Sequence, residues 1–370
     1  MAIQFSGKKI LEKISSVFGD EKSVLGLDIG TASIKVVQLR EEKERAVLET
    51  YGELSTGAYQ SSEEGRAVAL QEDQVAEMIR DLLRESEAAA RTAYVAMPLR
   101  YSFVTYIELP NMPLSELQSA VPFEARKYIP LPLNAVNLEW WPVRISEEER
   151  REHEGKIPIL LAASQKNMAD HYKRAVTKAG LSMKGSEIEV FSGTRSVISQ
   201  FRTPVMVIDI GASTAKITIV DFGSIRSAYS IEGGSQGLTV TLSRALGVDF
   251  ERAEEMKKES GIIDRPETAE MRKTILPFVD HILNESDRFR AYYRRKTRRS
   301  VDKVILLGGG AKLPGLVEYA TEHFGVEVIL GNPFRILEYP SFMQPIINKI
   351  APSFGVAAGL ALRALKHGGS

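Results

Sequence analysis

The chain predicts an α/β protein of two related lobes, with a small strand-helix-strand-strand subdomain inserted into the first. Three observations carry that expectation. The segment Leu25-Gly26-Leu27-Asp28-Ile29-Gly30-Thr31-Ala32-Ser33-Ile34-Lys35 is echoed by Val207-Ile208-Asp209-Ile210-Gly211-Ala212-Ser213-Thr214-Ala215-Lys216. Each copy opens a series of elements that begins rich in strands and ends in helices. Late in the chain an apolar run enters Gly308-Gly309-Gly310-Ala311-Lys312-Leu313-Pro314-Gly315.

Each repeated segment is an apolar run closed by Asp-Ile-Gly, then small or hydroxyl residues, then alternation: Ile34, Val36, Val37 and Leu39 in one copy, Ile217, Ile219 and Val220 in the other. That reads as strand, tight turn, strand. After the first hairpin, 46–51 reads as a third strand, 55–65 as a polar loop and 72–87 as a helix buried through Val75, Ile79, Leu82 and Leu83. Residues 93–97 return to strand. The inserted subdomain follows: strand 102–109, a prolyl turn at Pro110 and Pro113, a helix capped by Ser115 and running toward Tyr128, and strands 137–145 and 157–163 around a solvated charged loop at 146–156. A helix over 166–179, stopped by Gly180, returns the chain to the larger body.

The second half repeats the plan with its own insertion. Strands 205–209, 216–221 and 225–231 precede helices 238–246, 250–260 and 269–296. Strand 304–307, a helix to Phe324, strand 326–330 and a helix over 354–365 complete it. The expected division is a leader at 1–20, a first lobe of 21–95 with 166–202, the inserted subdomain at 96–165, a second lobe of 203–237 with 300–370, and a helical insertion at 238–299.

Composition narrows the functions open to such a chain. Its 370 residues suffice for about two or three domains at roughly 150 residues each. Forty-eight basic and 48 acidic residues cancel, so no long-range field draws it to nucleic acid or an anionic membrane. The basic cluster Arg294, Arg295, Lys296, Arg298 and Arg299 ends a long helix, where cations suit the dipole; no nucleic-acid partner is expected. The absence of cysteine excludes disulfides and thiolate chemistry and fits a reducing cytoplasm. Five scattered histidines show no ligand spacing. No apolar stretch reaches the roughly 18–20 residues of a bilayer span, so no transmembrane segment is expected. In the leader, Ile10, Leu11, Ile14, Val17 and Phe18 share one helical stripe beside Lys8, Lys9 and Lys13, which fits a helix packed on the body or an interfacial one.

The repeated turns carry chemistry. Gly30 and Gly211 let backbone N–H groups approach an anion, and the hydroxyls beside them add donors to phosphate oxygens. Asp28 and Asp209 are placed to hold a metal or its waters. Two such hairpins suggest two lobes gripping one polyphosphate. A strand ending in Gly308, Gly309 and Gly310 at a helix start is a third approach site. The dinucleotide fingerprint and Walker A motif are absent from these contexts.

In that order and spacing the segments resemble the actin-like ATPase superfamily over nearly the whole chain. The resemblance implies an actin-like fold, with each lobe ribonuclease-H-like, and ATP with Mg²⁺ between the lobes. It would set Asp28 and Asp209 beside Mg²⁺, held through water, as the catalytic metal and phosphate positioners. Gly30, Thr31, Ala32, Ser33 and Lys35 would border the β and γ phosphates, with Gly211, Ala212 and Ser213 opposite. Gly308, Gly309 and Gly310 would approach the ribose and α phosphate. Glu254, Lys257 and Lys258 follow the adenosine-contacting form of chaperone relatives, against a solvated helix face as the simpler reading, and Lys258 and Lys312 would flank the adenine.

Within the superfamily, Glu124-Ala125-Arg126-Lys127-Tyr128-Ile129-Pro130-Leu131-Pro132, Asp287-Arg288-Phe289-Arg290-Ala291-Tyr292-Tyr293 and Leu307–Leu316 resemble the FtsA-related PilM family of type IV pilus assembly. That implies a cytoplasmic scaffold, peripheral to the inner membrane, which binds the N-terminal peptide of a PilN-like bitopic protein in a groove between the inserted subdomain and the first lobe. Other pilus components and copies of itself are further implied partners. Arg126, Lys127, Tyr128 and Leu131 would lie near the groove with Phe123 and Ile129, for both of which core packing is the simpler reading. No residue clearly matches the water-orienting group of actin or MreB; Glu189 is a candidate by location alone, with a surface carboxylate as the simpler reading. Nucleotide binding with at most slow ATPase turnover is therefore expected. The rivals are a filament-forming FtsA- or MreB-like ATPase and a small-molecule kinase, which would need a catalytic aspartate beyond Asp28 and Asp209.

Overall fold

The computed structural model describes residues 23–59, 71–143, 145, 147–152, 155–198 and 203–367; the expected leader lies outside them. Its strands are β1 (Val24–Ile29), β2 (Ser33–Glu42), β3 (Arg45–Ser55), β4 (Thr92–Met97), β5 (Ser102–Pro110), β6 (Val136–Pro142), β7 (Lys156–Gln165), β8 (Ser182–Ile188), β9 (Val205–Ile210), β10 (Thr214–Asp221), β11 (Ser224–Glu232), β12 (Lys303–Leu307) and β13 (Glu327–Leu330). They form three sheets, ordered β3-β2-β1-β4-β8, β11-β10-β9-β12-β13 and β5-β7-β6.

The first two sheets repeat one topology. In each, a three-strand antiparallel meander is continued by two parallel strands, β4 and β8 beside β1, β12 and β13 beside β9. The duplicated sequence thus encodes a duplicated sheet. The central parallel strands β1, β9 and β12 are covered on both faces, so their sequences are apolar nearly throughout rather than alternating. In β1, Leu25, Leu27 and Ile29 join the core beneath helix Glu72–Glu85, which buries Val75, Met78, Ile79 and Leu82. Val24 points to the opposite face, among Phe334, Phe354, Ala357 and Ala361.

That second face corrects the expected domain limits. Residues 300–370 do not all belong to the second lobe: helix Gly355–His367 packs on β1, β2, β4 and helix Glu189–Val197. Its small residues are the reason. Ala357, Ala358 and Ala361 are fully buried, and a Cβ at Gly359 would stand 1.8 Å from the Ser192 carbonyl oxygen, while one at Gly26 would stand 2.0 Å from that of Ala357. The run Ser341–Lys366 is helical and apolar enough to cross a membrane, unlike the shorter stretch read from the sequence, but its apolar side is largely spent in this contact.

The inserted sheet has the expected order of elements, with differences at two points. Its helix spans Leu114–Ala125 and starts at Pro113 without a side-chain cap, so Ser115 lies in the first turn rather than capping it. The charged loop contains a short helix, Glu147–Glu152. Within it Glu149 is buried and paired with Arg226 of β11, an ion pair that ties the insertion to the second sheet together with the Tyr106 hydroxyl donating to the Ile225 carbonyl at 2.7 Å. Strand β8 and helix Glu189–Val197 were not anticipated, because Ser182-Met183-Lys184-Gly185-Ser186-Glu187 carries little apolar signal.

Gly359→Ala tests the backbone contact. Helix propensity alone would favour alanine by about 1 kcal/mol, yet overpacking costs about 1–3 kcal/mol. Urea denaturation should show net destabilisation; a gain in stability would contradict the packing.

Candidate functional site

The β1–β2 and β9–β10 turns face each other across a cleft of about 940 Å³, within the range of small-ligand sites. Each turn is closed by the same bond: the Gly30 N–H donates to the Ser33 carbonyl at 3.1 Å and the Gly211 N–H to the Thr214 carbonyl at 3.0 Å. A side chain at Gly30 would meet that carbonyl at 2.8 Å, and one at Gly211 would meet its own at 3.1 Å. Glycine is what lets the turns close. The Thr31 and Ser213 hydroxyls hydrogen-bond across the cleft at 2.7 Å, so the two turns touch where a polyphosphate would enter.

The third segment reaches the same place. Gly308 has φ of 84°, and a Cβ there would stand 2.4 Å from Asp209 Oδ1. Asp28, Gly30, Thr31, Ala32, Ser33, Lys35, Asp209, Gly211, Ala212, Ser213, Glu254, Lys257, Lys258, Gly308, Gly309, Gly310 and Lys312 all line this one cleft. Glu254 and Lys257 are buried rather than on a solvated helix face, 2.5 Å apart, with Lys257 also donating to the Thr239 hydroxyl at 2.8 Å and the Ser235 carbonyl at 3.1 Å. Lys258 and Lys312 are exposed at the rim.

Two cleft residues carry more than the sequence suggested. Glu189, far from being a surface carboxylate, is buried at the first turn of its helix. One of its oxygens accepts the Leu99 N–H at 2.8 Å and the other lies 3.0 Å from Lys216 Nζ. Lys216 also lies 3.8 Å from Asp209. The signal was present: Lys35 stands opposite Asp28 in the β1–β2 register, and Lys216 opposite Asp209 in β9–β10. The equivalence ends at the side chains, because Lys35 turns to Glu53, 3.1 Å away, and to the Ser33 hydroxyl.

These charges set the local electrostatics. Burial, with Glu189 and Asp209 nearby, outweighs Lys35 and Lys216 and pushes Asp28 up to about 6. Burial raises Asp209 too, against Lys216. Among the described residues no three acidic or imidazole groups stand close enough to ligate an ion directly. Two carboxylates in a cleft with room for phosphate suit Mg²⁺, which keeps its waters and takes few protein ligands.

A second cavity of about 990 Å³ lies between the inserted sheet, the first sheet and the β10–β11 turn. Strands β6 and β8, each the edge of its sheet, line it. Trp141 leans on Phe191 with ring centroids 5.7 Å apart, and Glu187 is held by Arg195 at 2.6 Å and Arg363 at 3.0 Å. Arg126, Lys127, Tyr128 and Leu131 are exposed and none lines this groove; Lys127 pairs with Glu124 at 2.8 Å. They follow helix Leu114–Ala125, whereas this groove is walled by β6, β7 and β8. Ile129 is core, as its simpler reading held, but Phe123 is 66% exposed.

The family described as type IV pilus assembly protein PilM matches residues 26–365. The cell division protein FtsA of Streptococcus pneumoniae serotype 2 is 24% identical over 210 residues, 50% of this chain and 46% of FtsA; the chain spans about half the length of the curated relatives it matches. A solved PilM-PilN type IV pilus biogenesis complex aligns with a TM-score of 0.77 at 24% identity, covering 92% of this chain and 98% of that one. MreB5 of Spiroplasma citri bound to ADP aligns with a TM-score of 0.53 at 12% identity, covering 92% and 95%. The fold is that of the actin-like ATPases.

Asp28 gives a pH signature. Its folded value of about 6 lies above the model-peptide 3.8, so the folded state binds its proton more tightly. The ionised form costs stability above pH 6; the cost shrinks as pH falls from 6 toward 4 and is gone below that. Asp28→Asn should therefore stabilise the nucleotide-free protein at pH 7.5 by about 1–2 kcal/mol, with a smaller gain at pH 5, measured by denaturant titration. A gain that grows at low pH would contradict the assignment.

Proposed function

The chain belongs to the type IV pilus assembly protein PilM family, and from that premise we propose that it is an ATP-binding component of a pilus assembly machine that grips a peptide of an inner-membrane partner. The observation that carries the reading is the convergence of both Asp-Ile-Gly turns and the glycine run on one cleft. Turn N–H groups and the Thr31 and Ser213 hydroxyls would hold the β and γ phosphates in place of their mutual contact. Gly308 to Gly310 would take the ribose and α phosphate, and the stems of Lys258 and Lys312 would flank the adenine. Asp28 and Asp209 would hold Mg²⁺ through its waters; when bound, the ion offsets phosphate charge. Asp209→Ala should weaken nucleotide binding, while hydrolysis by the wild type stays slow.

The partner site in this reading is the groove between β6 and β8. Sheet-edge strands on both sides suit an extended peptide added by backbone hydrogen bonding, with alternate side chains reaching Trp141 and Phe191. The related PilM-PilN complex supports a PilN-like protein as that partner. Placement at the inner membrane through it, and contacts with other pilus components or further copies of the chain, extend the same proposal.

Titration of the N-terminal cytoplasmic peptide of a PilN-like protein onto the full chain tests this. Trp141→Ala should weaken the peptide about 10–30-fold and leave nucleotide affinity unchanged. Unaltered peptide binding would move the site elsewhere; ATP-driven sedimentation without peptide capture would favour a filament-forming ATPase.

A further inference from the structure

Lys216 reaches across the cleft. Its strand, β10, belongs to the second sheet, whereas Glu189 begins a helix packed on the first-lobe core and on helix Gly355–His367. Their ion pair at 3.0 Å spans the space between the lobes, and both side chains are close to nine-tenths buried. Glu189 has each oxygen engaged, one by the Leu99 N–H and one by Lys216. Its place at a helix start adds the dipole to the forces holding its anionic form in position.

Hydrolysis requires something different of this carboxylate. A water oxygen bonds to the γ phosphorus, the bond to the bridging oxygen breaks, ADP leaves with that electron pair, and the water's proton passes to an acceptor. Asp28 and Asp209 are committed to the cation side of the phosphates in the proposed function. Of the glutamates lining the cleft, Glu189 is the one whose charge acts on both of them, and an acceptor must aim a free lone pair at the water within hydrogen-bond reach. Each Glu189 oxygen keeps a second lone pair, but with one oxygen anchored to the Leu99 N–H and the other to Lys216 the carboxylate is not free to turn and aim that lone pair at the water.

We infer that Lys216 is a positioning residue that restrains hydrolysis by holding Glu189 across the cleft, so that the site retains ATP instead of turning it over. The inference rests on the nucleotide reading of the cleft. It explains why the repeated Asp and Lys positions diverge: Lys35 neutralises Glu53 within its own sheet, and its counterpart is spent on a carboxylate from the other lobe.

The test uses the full chain with mant-ATP and Mg²⁺. Lys216→Gln should raise single-turnover hydrolysis about tenfold, and adding Glu189→Gln should return the rate to the wild-type level or below. Lys216→Arg keeps the cation and should hydrolyse no faster than wild type, which keeps the inference testable if the neutral variant misfolds. Removing the ammonium near Asp209 should also lower the Mg²⁺ concentration for half-maximal mant-ATP binding roughly three- to tenfold, a readout independent of turnover. A Lys216→Gln protein that binds mant-ATP but hydrolyses no faster than wild type overturns the inference alone. So does an accelerated Lys216→Arg protein, or a double variant that stays fast. Failure of the wild type to bind mant-ATP overturns the nucleotide reading, and the inference with it.

Discussion

The architecture depends on one close contact: helix Gly355–His367 lying with its backbone against β1 on one side and against helix Glu189–Val197 on the other. Gly26 and Gly359 make the approach feasible, since a methyl group at either would overlap a carbonyl oxygen. A helix pressed this closely has no freedom to slide, and it fixes two things at once. Strand β1 delivers Asp28 and the first turn to the cleft. Helix Glu189–Val197 delivers Glu189 to the same cleft and sends Phe191, Thr194 and Arg195 into the groove on its far side. Cleft and groove therefore share a wall, set by the packing of the last helix on the first strand.

The duplication supplies the rest of the frame. Two sheets of one topology bring two equivalent turns face to face, and the identical closing bonds of Gly30 and Gly211 show that local backbone chemistry was repeated with the sheets. What distinguishes the lobes is the use of equivalent charges. Buried lysines cost free energy unless paired, and each repeat solves that with a different acid. Within the second lobe Asp221 plays a third such role: fully buried, it accepts from Tyr293 at 2.7 Å and from Arg299 at 2.6 Å. Arg299 of the basic cluster that follows the long helix is thereby absorbed into structure.

Much of this was legible because the strongest signals are local. The Asp-Ile-Gly turns, the glycine run and the apolar strands follow from sequence-near chemistry, and the nucleotide candidates converge on one cleft. Illegible features were those fixed by distant contacts. Helix Gly355–His367 reads as an apolar segment with no indication of which sheet it covers, because alanine and glycine spacing specifies closeness without specifying a partner. Strand β8 is polar since, as an edge strand, it leaves one side open to the groove. Glu149 and Glu189 look like solvent-facing carboxylates until Arg226 and Lys216 arrive from the second sheet. The Arg126-Lys127-Tyr128 run is conspicuous in sequence, whereas the groove is built from the less conspicuous edges of two sheets.

Zero net charge sharpens the meaning of the cleft. With 48 charges of each sign, the protein offers a polyphosphate little long-range steering, so recognition rests on fixed donors at close range. The donors are backbone N–H groups, hydroxyls and lysine ammonium groups such as that of Lys35, while the nearby carboxylates by themselves would repel phosphate. Burial disfavours the ionised forms of Asp28 and Asp209 and raises both. A polyphosphate alone would worsen that repulsion; a polyphosphate arriving with a divalent cation relieves it. In the proposed nucleotide reading those carboxylates would therefore make the cation part of what the cleft selects.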